Sequence, residues 1–135
     1  MILTDPYFRR YFDVFLFENL PANKRNPKNL YFGMVKRCDI YLGIFGRTYG
    51  DTDANGISPT EHEFELATKL AKDRIIFVKQ LRRGLRRAAK MADLIRRAGR
   101  SVTYSGFHNA DELNAEVMRS LLYWQERTSN DANVS

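Results

Sequence analysis

The chain has 135 residues, one domain's worth, and at 44% apolar with 13% aromatic residues it can bury a core without disulfides or metal. One cysteine, Cys38, excludes an intramolecular disulfide, and Cys38, His62 and His108 cannot supply the usual Cys/His zinc sets. No apolar run reaches the ~18 residues of a membrane span, and the start turns polar too early for a signal peptide, so a cytoplasmic location is expected.

Asp5 before Pro6 reads as an N-cap, followed by a short helix to about Tyr11. Residues 12–17, FDVFLF, are aromatic and β-branched, as suits a strand covered on both faces. A Pro/Asn-rich loop follows, then a short helix over residues 30–37 with Leu30, Tyr31, Met34 and Val35 inward. DIYLGIF, residues 39–45, is a second buried strand running into Gly46-Arg47-Thr48-Tyr49-Gly50. Ser58-Pro59-Thr60-Glu61 is a capping box with proline at the first helical position. That helix runs to about Ala71, with Glu65 and Lys69 as an i,i+4 pair. RIIFVK, residues 74–79, is a third buried strand. Residues 88–98 form a helix stopped by Gly99, residues 101–104 a weaker strand, and Asn109-Ala-Asp-Glu112 a second capping box. Leu113, Val117, Leu121 and Trp124 then mark the inner stripe of a last helix. One domain is expected over residues 1–127, with a disordered polar tail over 128–135.

Strands alternating with helices imply right-handed crossovers and a parallel sheet covered by helices, a three-layer α/β fold. Ligands in such folds sit at the carboxyl ends of the strands. Three features compete for that role. GRTYG and the helix start at Ser58 and Thr60 offer tight turns and free amides suited to phosphate or carboxylate. No phosphate-loop or dinucleotide fingerprint accompanies them, and no cofactor is implied. Among the acidic residues Glu61, Glu63 and Glu65, the cap explains Glu61 and Lys69 explains Glu65. Glu63 has no local partner, and partial burial there would suit it to act as base or nucleophile. The third feature is charge. The net +6 is concentrated in residues 82–100, where eight Arg and Lys stand against one Asp and the rest of the chain sums to −1. Arg82, Arg83, Arg86, Arg87, Lys90, Arg96, Arg97 and Arg100 could face phosphates, although a solvated helix face explains them as well.

FDVFLFENLPA, CDIYLGIFGRTYG, GISPTEHEFELA and RIIFVK, spaced as they are here, resemble the DUF4062 family of domains of unknown function from residue 12 to about 126. That family looks like a flavodoxin-like relative of Toll/interleukin-1-receptor (TIR) domains and nucleoside 2-deoxyribosyltransferases. The resemblance implies a module at the amino end of larger proteins: signalling NTPases, prokaryotic defence systems and RecG-like transcriptional regulators. It also implies a candidate catalytic carboxylate. In both relatives a glutamate four residues before a small residue is catalytic, and Glu63 with Ala67 matches that pattern, with Ser58 as the preceding polar residue. Gly46, Arg47, Tyr49 and Gly50 would then line the ribose or phosphate of NAD or a nucleoside, whose N-glycosidic bond would be attacked.

The family opens with a strand and a long helix, and Met1 falls near the end of that helix. A sheet of about four strands lacking its first is therefore expected. FDVFLF would pair directly with DIYLGIF or with a second copy in a homodimer. The first expectation for function is a signalling or regulatory module that works by protein contact, with a nucleotide as its conceivable ligand. The alternatives are an N-glycosidase or deoxyribosyltransferase-like enzyme using Glu63, and a nucleic-acid-associated module using the basic segment.

Overall fold

Two runs rich in β-branched and aromatic side chains, IYLGIF and RIIFV, supply the central strands. The structure is a computed structural model that describes residues 27–134, and the side chains of residues 32–131. In it these runs are β1 (Ile40–Phe45) and β2 (Asp73–Lys79). They pair in parallel, with Ile40 opposite Asp73 and Phe45 opposite Val78, as the near-continuous apolar patterning requires. A third strand, β3 (Tyr104–Phe107), lies on the other side of β2, giving an open parallel sheet in the order β1-β2-β3. Helices α1 (Pro27–Arg37), α2 (Pro59–Lys69) and α3 (Ala89–Ala98) flank it, and α4 (Ala110–Val134) follows β3 in the chain. The expected α/β architecture is therefore present.

One face of the sheet carries the core. Alternation along β1 and β2 directs Tyr41, Phe45, Ile76 and Val78 to the same side, where they meet Val35 of α1, Phe64 and Ala67 of α2, and Met91, Leu94 and Ala98 of α3. Phe45 and Phe64 stack edge to face with centroids 5.9 Å apart. Gly43 belongs to this side too, and a Cβ there would lie 2.8 Å from Ile76 Cδ1. On the opposite face Phe77 is fully buried, whereas Ile44 is half exposed.

The element boundaries depart from the sequence reading for local reasons. Helix α1 starts at Pro27, because proline suits the first turn, where no intrahelical amide is needed. Helix α2 ends at Lys69 and not Ala71. Ala71 turns left-handed, at φ 55°, while the Lys72 amide reaches back to Ala67 O at 2.9 Å. Residues 101–104 are not the last strand. The Ser101 and Val102 amides both bond Ala98 O to finish α3, which keeps them out of a ladder and moves the strand to 104–107. The helix and strand expected over residues 5–17, and the FDVFLF edge proposed for pairing or dimerisation, lie outside the described residues.

The described residues divide into two compact units at Gly106. In the second, Asn109 Oδ1 caps the Glu112 amide at 2.9 Å, and the Glu112 carboxylate accepts from the His108 amide at 2.6 Å. The expected capping box is thus built, with its carboxylate reaching one residue further back. Helix α4 continues to Val134 through residues 128–134, where a disordered tail was expected. That stretch has no Gly or Pro to stop it, and Thr128 Oγ1 donates to Trp124 O at 2.9 Å along the helix.

Candidate functional site

Parallel pairing brings the loops after β1 and β2 to one edge of the sheet, beside the amino ends of α2 and α3. There the two helices and the loop before α2 enclose an open cleft of about 330 Å³. Tyr49, Gly56, Ile57, Glu61, Lys90 and Arg97 line it, with Ala89 and Asp93.

The cleft begins with a cap. Ser58, fully buried, accepts from the Glu61 amide at 3.3 Å, as the sequence Ser-Pro-Thr-Glu requires. The return half of the box is replaced. Tyr49 Oη accepts from the Ser58 amide at 3.3 Å and donates to Glu61 Oε1 at 2.9 Å. The Glu61 carboxylate is thereby turned from its own helix end into the cleft. Burial, chiefly, raises the Tyr49 phenol above its usual range, so it stays a donor to Glu61. Gly50, at φ 94°, supplies the left-handed turn that returns the chain from Tyr49. Gly46 has an ordinary backbone, and a Cβ there would meet nothing, so the tight turn expected of it falls to Gly50 alone.

Arg97 closes the cleft. Its guanidinium reaches Glu61 Oε1 at 2.8 Å, Glu65 Oε1 at 3.0 Å and Asp93 Oδ2 at 2.8 Å. Burial would lower its pKa, but the hydrogen bonds it donates to Asp93 and Glu61 outweigh that and raise it. Hydrogen bonds from Arg96 and then Arg97 hold Asp93 below the usual carboxylate range. Glu65 thus faces Arg97, 32 residues away, in place of the expected ion pair with Lys69.

Of the residues singled out in the sequence, Tyr49, Lys90 and Arg97 meet in the cleft, and Ser58 lies beneath it. Glu63 is not among the lining residues. It is half-buried on α2 and accepts from Tyr41 Oη of β1 at 3.4 Å; burial, and then Glu63 itself, push the Tyr41 phenol well up. Thr60 is half-buried on the first turn of α2 and also stands outside the cleft lining.

The basic segment does not form one face. Arg87 donates to Gly46 O at 2.6 Å and to Lys79 O at 2.7 Å, fastening the exits of β1 and β2. Lys90 donates to Gly56 O at 2.7 Å and lies over the Tyr49 ring. Arg96 pairs with Asp93. Arg82, Arg83, Arg86 and Arg100 are exposed.

A His–Asp pair supports the outer wall. His62 Nε2 lies 2.7 Å from Asp53 Oδ2, and Asp53 Oδ1 accepts from the Asn55 and Ile57 amides. The His62 hydrogen bond, followed by that from Ile57, lowers the Asp53 carboxyl to about 2. Sequence reading missed Glu61, Asp93 and this pair, and took Arg87 for a phosphate-facing charge where it fastens the strand exits. Only Glu61 had a local signal, and the cap accounted for it.

A family model, a domain of unknown function (DUF4062), matches residues 3–122. No curated protein and no solved structure matches the chain.

Proposed function

The chain belongs to the DUF4062 family, and we propose that it acts as a signalling or regulatory module that works by contact and not by bond cleavage. Such a module suits the amino end of NTPases, defence proteins or RecG-like transcriptional regulators, where binding of a partner or a second copy is relayed to the rest of the protein. The observation that carries the reading is the state of the cleft. Its guanidinium already holds three carboxylates and its buried carboxylate already holds two donors. Glycosidic attack needs a carboxylate presented to the sugar, and Glu63 is absent from the cleft lining while Tyr41 engages it.

The test is to incubate the purified chain with NAD and with nucleosides and follow nicotinamide or free base by chromatography. Light scattering is recorded over a concentration series in parallel. No release, together with mass that rises with concentration, is expected. Release that disappears in Glu63→Ala would replace this reading with the glycosidase one. A strictly monomeric profile counts against self-association.

A further inference from the structure

We propose that the loop between β2 and α3, together with Arg47, binds the phosphodiester backbone of duplex nucleic acid without base specificity. This stands apart from the contact reading above. The loop is built as a carrier of guanidinium groups. Leu85 N–H donates to Arg82 O at 3.1 Å, closing a turn over residues 82–85, and Gly84 at its tip adopts φ 91°, which an L side chain resists. The turn is fastened to the strand exits by Arg87 and by the Ala88 amide, which donates to Arg47 O at 2.9 Å. Arg47 Nε donates to Arg86 O at 3.0 Å, which sets the Arg47 side chain beside the same loop.

Arg47, Arg82, Arg83 and Arg86 therefore stand together at the carboxyl edge of the sheet, all exposed. The side chains of Arg82, Arg83 and Arg86 take part in no hydrogen bond or ion pair among the described residues, and Arg47 uses only Nε. Residues 80–92 contain no Asp or Glu, and the nearest acidic residue along the chain from Arg47 is Asp51.

The chemistry of the patch selects its partner. A protein interface needs apolar or aromatic anchors at its centre. Here Leu81 and Leu85 are the only large apolar residues beside the arginines, and both are half-buried. Single strands are held by stacking on aromatic rings, and residues 80–92 contain none. What remains is forked donors matched to phosphate oxygens, which is the sequence-independent part of duplex recognition.

The experiment is fluorescence anisotropy of the full chain with a labelled mixed-sequence duplex over a salt series. Four phosphate contacts give a slope of log K against log salt of about −3.6, hence about a 100-fold loss between roughly 50 and 200 mM salt. The triple variant Arg82→Gln, Arg83→Gln, Arg86→Gln is expected to lose at least about tenfold in affinity at low salt and to flatten the slope to about −1. The matched control is Lys36→Gln, Lys69→Gln, Arg100→Gln. It removes the same charge from exposed residues at the opposite edge, where α1, α2 and α3 end. It is expected to keep the parent slope. Absence of binding at low salt, a slope near zero, or equal loss in both triple variants would overturn the proposal. So would a polyglutamate peptide that binds as tightly as the duplex. Circular dichroism of each variant confirms the parent fold.

Discussion

Replacing Arg97 with Met keeps the apolar stem and removes one guanidinium from three carboxylates. Two of those carboxylates are well exposed, at 56% for Glu65 and 47% for Asp93, so solvent screens both links and they contribute little. Glu61 differs, because its side chain is only 11% exposed. Stripping a fully buried charge of its partner costs about 3–5 kcal/mol. Glu61 keeps the Tyr49 hydrogen bond and borders an open cleft, which reduces its share to about 2 kcal/mol. Arg97→Met is therefore expected to lower unfolding free energy by about 2 kcal/mol in urea denaturation followed by circular dichroism. The cycle is closed with Glu61→Gln. Alone it should destabilise by about 1–2 kcal/mol, since it breaks the pair with Arg97. In the Arg97→Met background it should be neutral or stabilising, because it removes the stranded charge. A coupling energy below about 0.5 kcal/mol would mean that the two groups behave independently. The pair would then be solvated, and the picture of an internally neutralised cleft would fall with it.

Three further outcomes follow from the same geometry. Tyr49→Phe leaves the buried Ser58 amide without its acceptor and should cost about 1–2 kcal/mol in the same assay. Ala71→Gly relieves a left-handed alanine and should stabilise by about 1 kcal/mol, whereas a neutral or destabilising result would place the strain elsewhere. For Asp53 the folded pKa lies below its ordinary 3.8, so its stabilising contribution is present above that value and is lost as pH falls through about 2. Carbon-detected NMR should find the carboxyl titrating near 2 in the parent and moving up toward 3.8 in His62→Ala, where the first cause of the shift is removed.

The strands were legible because buried parallel strands need continuous apolar runs, and DIYLGIF and RIIFVK are such runs. The Ser58 cap was legible because Ser-Pro-Thr-Glu encodes it within four residues. What stayed hidden depends on pairs far apart in the chain. Glu61 looks satisfied by its own helix end, and nothing near it announces Tyr49, 12 residues before, or Arg97, 36 residues after. Arg87 reads as one more charge in a basic run, yet its hydrogen bonds go to the main chain of Gly46 and Lys79. Composition could count the arginines but could not separate those that hold the fold from those that face outward. The last strand was misplaced because Tyr104–Phe107 is only four residues long, and the helix-ending turn before it offers a competing β-branched stretch.

The Arg87 fork has a mechanical consequence. One rigid planar group grips two neighbouring strand ends, so the segments leaving them share a single hinge. A force applied to the 82–86 tip is delivered to Gly46 and from there along the chain toward Tyr49, without any intervening flexible spacer. Cutting that grip, for instance with Arg87→Leu, would leave the two segments joined through Arg47, by its bonds to the Ala88 amide and to Arg86 O.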